Sequence, residues 1–346
     1  MAVGGTRITP SASDDVDAGS PGRPPGSPLP RPAPLGIIAR IKRRLARRAY
    51  LLMLVPALAL YGTFIAYPFI TSMYYGLFNW SGIGPLTDYV GLKNFQYVLT
   101  SPQFARQFFT AILHNLWFFA VVTLLTVGLG TVIAHLLTRV SHRSSRPYQV
   151  IYFLPYVLPP VVVGWFVDIY LQPGFGVIPN LARALHAEFL DQPYLGTIST
   201  ALPTIAVVAA WSSIGFAVII LLATMVGLPG EVLEAARVDG ASAVQIFLHI
   251  VLPLVRPTII TVCTLNFINS FNIFDLIYVL EGPLAGPNYG TDVTGTLFYR
   301  TAFGGGFNTA AVNLGLASAM ATISFVLVMI VSGLLVFLQK RYSVEY

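Results

Sequence analysis

The stretch STALPTIAVVAAWSSIGFAVIILLATMVG, residues 199–227, contains no charged side chain. A helix rises 1.5 Å per residue, so a helix of this length exceeds the roughly 30 Å of a bilayer's hydrocarbon core. Its apolar residues follow one another without alternation, which excludes a strand of a transmembrane β-barrel. The stretch therefore predicts a membrane-spanning α-helix, and the chain contains further stretches of the same kind.

The composition of the whole chain indicates a membrane protein. Only 10% of the 346 residues are charged and 55% are hydrophobic, whereas a soluble domain carries about 25% charged residues. This balance excludes a soluble enzyme, a disulfide-stabilised scaffold and a nucleic-acid-binding protein that depends on a basic face. The single cysteine, Cys263, can form no internal disulfide and is expected to pack as a small hydrophobic residue.

The charge-free runs predict an all-α polytopic fold with six transmembrane helices. A further run at 240–255 is short and contains His249 and Pro253, and it is excluded from the spans. Prolines inside the spans predict bends, because proline removes a backbone donor. Residues 1–39 are rich in proline, glycine and serine and predict a disordered cytoplasmic tail, which leaves 40–346 as the transmembrane domain. The predicted spans are 50–77, 110–137, 148–171, 199–227, 257–280 and 312–338.

Arginine and lysine are distributed unevenly between the loops. With the N-terminus in the cytoplasm, thirteen basic residues lie near the inner ends of the spans, and the outer loops hold Lys93, Arg106, Arg183 and Arg300. Short cytoplasmic loops carry an excess of basic residues. The bias predicts a multi-pass protein with both termini in the cytoplasm.

The loop between the fourth and fifth spans begins with GLPGEVLEAARVDGAS, residues 227–242. Pro229 suits the start of a helix, and the two glutamates favour its first turn. Gly240 can adopt the left-handed conformation that ends a helix. A second short helix is expected over 241–250, stopped by Pro253. The loop therefore predicts two short cytoplasmic helices joined by a sharp turn, with small residues that let a partner approach closely.

This loop also carries a resemblance. The pattern EAA-x-x-DGA at residues 234–241, followed by F-x-x-I-x-LP-x-x-x-P from Phe247 to Pro257, resembles the signature loop of permease subunits of bacterial ATP-binding-cassette (ABC) importers. The similarity covers about residues 50–342. Other stretches are similar to the maltose-type, sugar-importing branch of that family, namely Asn94-Phe95, His114-Asn115, Phe274-Asp275 with Tyr278-Val279-Leu280, and Phe298 to Phe303.

The resemblance implies a mechanical role for the loop. In such importers it forms a coupling helix that sits in a groove on an ATPase subunit and transmits nucleotide-driven closure to the transmembrane helices. Glu234 would pair with a basic group on the ATPase and Gly240 would make the turn, while the small residues would fit the groove. The implied coupling residues are Glu234, Ala235, Ala236, Asp239, Gly240 and Ala241.

The resemblance also implies the partners. They are a second homologous permease, two ATP-binding-cassette ATPase subunits and an extracytoplasmic solute-binding protein, assembled in the bacterial cytoplasmic membrane. ATP and Mg²⁺ are expected on the ATPase subunits, since no G-x-x-x-x-G-K-[ST] phosphate-binding loop occurs in this sequence. We expect no cofactor, metal or catalytic residue on this chain.

Polar side chains inside a membrane are costly and often line a pathway. The predicted fifth span is rich in amides, which both donate and accept hydrogen bonds and therefore suit sugar hydroxyls. Its interleaved phenylalanines could stack on sugar rings. Each amide could instead bond across helices and hold the bundle together. The candidate pathway residues are Asn266, Asn269, Ser270, Phe271, Asn272 and Asp275.

Together these features predict a permease subunit without an ATPase site of its own, which translocates a mono-, di- or oligosaccharide by alternating access coupled through the 228–256 loop. One alternative is a permease of the same superfamily with another cargo, such as glycerol phosphate, a polyamine or an amino acid. A second is a self-sufficient secondary transporter, for which Asp275 is the one candidate ion-coupling carboxylate.

Overall fold

A computed structural model describes residues 53–140, 142–187, 191–305 and 312–342. Within these ranges the regular secondary structure is helical, apart from one antiparallel β-bridge between Phe78 and Tyr89. The predicted boundary between residues 39 and 40 lies outside the described residues. The helices are α1 Met53–Tyr75, α2 Lys93–Thr100, α3 Phe104–Thr138, α4 His142–Val157, α5 Pro160–Leu171, α6 Val177–Ala184, α7 Ile198–Val226, α8 Gly230–Val238, α9 Ala243–Leu254, α10 Arg256–Phe271, α11 Asp275–Glu281, α12 Thr294–Phe303 and α13 Leu314–Tyr342.

The helices α1, α3, α7 and α13 are each long and apolar enough to cross a membrane. They correspond to the predicted first, second, fourth and sixth spans. Two bent pairs, α4 with α5 and α9 with α10, bring the number of candidate spans in the described ranges to six when each pair counts as one. The all-α membrane fold is therefore confirmed, and two of its predicted helices need correction.

The predicted third span, 148–171, is not one straight helix. It is divided between α4 and α5, whose axes differ in direction by 94°. The break lies at Leu158 and Pro159, directly before the proline that begins α5. Two successive prolines remove two backbone donors, and a residue that precedes proline is driven out of the helical conformation. Proline at this point separates two helices, whereas Pro155 lies inside α4 without ending it.

The predicted fifth span, 257–280, is also divided. The helix α10 ends at Phe271, and the following residues form a turn before α11. The amide nitrogen Nδ2 of Asn115, on α3, donates a hydrogen bond of 2.6 Å to the carbonyl oxygen of Ser270. The last carbonyls of a helix have no partner within it, so a side chain from another helix stabilises this end.

The helix that follows the turn at Gly240 is longer than the predicted 241–250. It continues past Pro253 to Leu254, because a wide π-helical turn at Phe247–Val251 precedes the proline. Such a turn shifts the hydrogen-bond register by one residue. Helix α9 then meets α10 at an angle of 64°, with the excluded run 240–255 forming part of this bent pair.

The helix α7 lies at the centre of the packing. Its most extensive contacts are with α3 and α4. Half of the residues in its most apolar 18-residue segment are buried. At one end of α3 and α7 lies an apolar cluster, here called the loop cluster, which also contains residues of α8 and α9. The loop cluster consists of Ala134, Leu137, Val218, Leu221, Leu222, Met225, Ala236, Ile246, Val251 and Val255.

Gly215 marks the closest approach of α7 to α4. A Cβ atom there would overlap the backbone of Tyr152. We therefore expect Gly215→Ala to lower the Tm of the purified protein, since overpacking costs about 1–3 kcal/mol.

The matched control for this variant is Gly128→Ala on α3, where a Cβ atom would meet nothing within 4 Å. It should leave the Tm unchanged or raise it, because alanine is the better helix former by about 1 kcal/mol. Equal Tm values for the two variants would contradict the close crossing.

Candidate functional site

The turn between α8 and α9 is built by two backbone hydrogen bonds. The N–H of Gly240 donates to the carbonyl of Arg237 at 3.1 Å, and the N–H of Ala241 donates to that of Ala236 at 3.0 Å. This is the Schellman arrangement, which requires a left-handed residue after the helix. Gly240 has φ +80°. The predicted sharp turn at this glycine is confirmed.

The next helix is capped at its first residues. The Ser242 hydroxyl accepts a hydrogen bond of 3.3 Å from the N–H of Gln245, and the Gln245 Oε1 accepts one of 2.7 Å from the N–H of Ser242. This reciprocal pair is a capping box. With both ends of the turn hydrogen-bonded, α8 and α9 form a stiff corner.

The predicted coupling residues lie on two sides of this corner. Glu234, Ala235 and Asp239 are exposed, and Gly240 lies beside them. Ala236 is 9% exposed and belongs to the loop cluster, and Ala241 packs half-buried against that cluster. The helix α8 thus has an open face and a face that packs against the ends of α3 and α7.

The predicted pathway residues are also divided by the structure. Asn266 is buried, and its Nδ2 donates a hydrogen bond of 2.8 Å to the Thr126 hydroxyl on α3. Ser270 and Phe271 are buried as well, and Phe271 belongs to an apolar cluster that also contains Phe108 and Ile112 of α3. These residues join helices to one another.

By contrast, Asn269, Asn272 and Asp275 are exposed. Asn269 lies on the last turn of α10, Asn272 directly follows that helix, and Asp275 is the first residue of α11. Beside them runs a row of four aromatic rings with neighbouring centroids 5.1 to 5.4 Å apart. The rings belong to Phe274, Tyr278, Tyr299 and Phe303.

Asn115 connects three helices and was not predicted as a functional residue. It is fully buried. Besides its bond to the Ser270 carbonyl, its Oδ1 accepts a hydrogen bond of 2.9 Å from the N–H of Thr294, the first residue of α12. The neighbouring His114 Nδ1 donates to the carbonyl oxygen of Asp292 at 2.7 Å. A polar pair in an otherwise apolar run is the signal that identifies these residues.

A buried ion pair stabilises the same region. The Arg300 guanidinium donates to both carboxylate oxygens of Asp292, at 3.0 and 2.7 Å, and lies 4.9 Å from the centre of the Tyr289 ring. The Thr296 hydroxyl donates to the same carboxylate. The pair is 12% and 6% exposed, and a buried charge needs such complete pairing. Sequence reasoning missed it, because residues eight apart are not neighbours on a helix surface.

One carboxyl group in this part of the chain has an altered acidity. Burial, together with the negative charge of Asp168, raises the pKa of Glu281 to about 7. The Glu281 side chain is therefore mostly uncharged below pH 7, which lowers the cost of placing it between α5 and α11.

Comparison with known proteins identifies the class of the chain. Residues 126–344 match the family described as binding-protein-dependent transport system inner membrane component. Since this match covers more than half of the chain, the chain belongs to that family. It is a membrane-embedded permease subunit of an ABC importer, as the loop motif predicted.

The similarity to individual relatives extends over most of the chain. The multiple sugar-binding transport system permease protein MsmF of Streptococcus mutans is 30% identical over 84% of this chain and 95% of its own. The diacetylchitobiose uptake system permease protein NgcF of Streptomyces coelicolor is 28% identical over 85% of this chain and 82% of its own. A crystal structure of a bacterial ABC transporter that imports alginate superposes with a TM-score of 0.71, covering 87% of this chain and 99% of that one at 24% identity, which supports the fold.

Asn115→Leu tests the connection between α3, α10 and α12. The substitution leaves the Ser270 carbonyl and the Thr294 N–H buried without their partner, and we expect it to destabilise the protein by about 1–3 kcal/mol. The readout is the Tm of the purified protein. Asn269→Leu is the matched control, because Asn269 is exposed on α10. If both variants keep the wild-type Tm, the bridge contributes nothing to stability.

Proposed function

We propose that this chain forms half of the translocation pathway of a sugar importer and is moved by partner ATPases. The observation that carries the proposal is the corner of α8 and α9, with one face open and the other packed into the loop cluster. The two relatives described above are named for a multiple sugar-binding transport system and for diacetylchitobiose uptake, and these names support a carbohydrate as cargo.

The open face of α8 suits an ATPase groove. Glu234 and Asp239 offer carboxylates to basic groups of the partner, and Ala235 lets the two backbones approach closely. Ala236, on the other face, transmits the displacement to the loop cluster. A close-packed interior moves as a unit, since it has few voids that could absorb a shift. ATP and Mg²⁺ bind the ATPase subunits in this mechanism, and no covalent chemistry occurs on this chain.

The exposed amides of α10 suit the sugar pathway. Asn269, Asn272 and Asp275 form a polar face on a chain that lies in a membrane, and polar side chains are costly against lipid. We assign this face to the space between this chain and a second, homologous permease. The four aromatic rings beside it offer apolar surfaces to the faces of sugar rings. A solute-binding protein delivers the sugar to the outer end.

The basic residues support one orientation in the membrane. Arg139 directly follows α3, and Lys340 and Arg341 lie in the last turn of α13. With Arg237 and Arg256 in the loop region, these cations belong on the cytoplasmic side. This distribution supports a cytoplasmic location for both termini.

The direct test is to purify the C-terminally tagged chain gently from its native membrane and to identify the co-purifying proteins by mass spectrometry. A P-loop ATPase and a second permease are expected, and the complex should take up sugar in liposomes only with ATP. A chain that purifies alone and moves solute without ATP would overturn the proposal.

Gly240 tests the coupling corner. A Cβ atom there meets nothing within 4 Å, so a substitution changes backbone preference without a clash. A side chain in the left-handed region costs about 1–2 kcal/mol, and Gly240→Val should lower ATP-driven uptake by about 5- to 30-fold while the protein still inserts.

Gly240→Asn is the control, because asparagine tolerates the left-handed conformation, and it should retain most of the uptake. Equal uptake by the valine and asparagine variants would count against a coupling role for this turn.

Substitutions of two asparagines of α10 distinguish a role in the sugar pathway from a role in helix packing. Asn269→Leu should lower sugar uptake by about 2- to 10-fold at unchanged Tm, since it removes a neutral hydrogen bond to the cargo worth about 0.5–1.5 kcal/mol. Asn266→Leu should lower the Tm by removing the bond to Thr126. Wild-type uptake in the Asn269 variant would exclude this residue from the sugar pathway.

A further inference from the structure

A cavity of about 590 Å³ opens beside the coupling corner. It lies where the ends of α3 and α7 meet α8 and α9. This volume is within the range of about 300–1,000 Å³ that is typical of small-molecule sites. No side-chain contact of the coupling corner fills this cavity.

The lining of this cavity has two distinct parts. The apolar group, here called the floor, includes Met225, Val226, Leu228 and Leu233, and the polar group, here called the rim, includes the two cations Arg139 and Arg237 together with His135. An apolar floor and a cationic rim in one cavity match an amphiphilic anion.

The two arginines have no compensating carboxylate in the described part of the chain. The ion pairs found there join Arg183 with Asp191 and Arg300 with Asp292. The guanidinium of Arg139 donates a hydrogen bond of 3.1 Å to the Nε2 of His135. Because Nε2 accepts this bond, that nitrogen carries no proton and adds no positive charge. The rim therefore holds two positive charges that remain available to an anion.

The cavity also lies at the ends of two helices, α3 and α7, that are long and apolar enough to cross a membrane. Arg139 directly follows Thr138, the last residue of the membrane-spanning helix α3, and Val226 ends α7. Basic residues at such helix ends meet the anionic headgroups of the cytoplasmic leaflet. The basic sequence 40–48 of this chain has the same sign as the rim, so it is electrostatically unsuited to fill the cavity.

We propose that the cavity binds one anionic phospholipid of the cytoplasmic leaflet. Its phosphate pairs with Arg139 and Arg237, and the adjacent part of an acyl chain lies on the floor formed by Met225 and Leu233. Guanidinium groups are well suited to phosphate, because two parallel N–H groups reach two oxygens. A soluble phosphate would satisfy the cations and leave the apolar floor in contact with water.

Such a lipid would connect a transmembrane helix to the coupling corner. Arg139 directly follows α3, whereas Arg237 lies on α8, and one phosphate between them ties the two elements together. The His135 ring already packs on Phe247 of α9 with centroids 4.4 Å apart. The bound lipid adds a second link at the same corner, so that the stiffness of the coupling corner depends on the lipid composition of the membrane.

The test is native mass spectrometry of the purified full chain released from nanodiscs of equimolar phosphatidylglycerol and phosphatidylcholine. We expect one retained phosphatidylglycerol. The double variant Arg139→Gln, Arg237→Gln should retain at least about tenfold less, since it removes both guanidinium partners of the phosphate. Arg341→Gln, at the same end of the bundle on α13, is the matched control and should retain the lipid.

Further arms of the experiment use the wild-type protein, so the proposal does not depend on the folding of a variant. Displacement of phosphatidylglycerol by millimolar inorganic phosphate would assign the site to a soluble anion and overturn the lipid proposal. Equal retention of phosphatidylcholine would also overturn it. Displacement by a co-purified ATPase subunit would overturn it as well, because the cavity would then be a protein-docking surface.

The proposal rests on the cytoplasmic position of the loop proposed above. Its readout is lipid retention, so it can fail while uptake and ATPase association remain intact.

Discussion

Inside a bilayer a free peptide group finds no water, so each interruption of a helix must be supplied with hydrogen-bond partners by the protein itself. The break at the end of α10 depends on this constraint most directly. Asn115 donates a hydrogen bond to the carbonyl of Ser270, near the end of α10, and accepts one from the N–H of Thr294, the first residue of α12. Without this side chain, the turn that carries Asn272 and begins α11 would leave polar backbone unpaired.

The same constraint distinguishes the two ends of the bundle. At one end, breaks are stabilised by buried polar contacts, above all the pair of Asp292 and Arg300. At the corner of α8 and α9, the chain uses local devices, with backbone bonds around Gly240 and a capping box at Ser242. Apolar packing in the loop cluster then joins this corner to the ends of α3 and α7. A stiff corner on a packed base is suited to transmit force.

Helix geometry alone predicts the asparagines of this segment on one slowly drifting face, but their tertiary surroundings differ. Asn266 bonds to Thr126 and holds two helices together, whereas Asn269 and Asn272 remain exposed. An amide has the same hydrogen-bonding groups in both environments, so its type does not reveal which role it has. The division follows from the distance to α3, which no local pattern in residues 257–280 contains.

The sequence by itself determined the membrane class, the four straight spans and the turn at Gly240, because apolar run length and glycine conformation are local properties. It also identified the importer family through residues 234–257. Only the tertiary structure decided that α10 ends at Phe271, that α9 runs past Pro253, and that Arg139 and Arg237 share one cavity. These features depend on groups far apart in the chain, and the free energy of a buried hydrogen bond or an uncompensated charge is set by which distant group lies beside it.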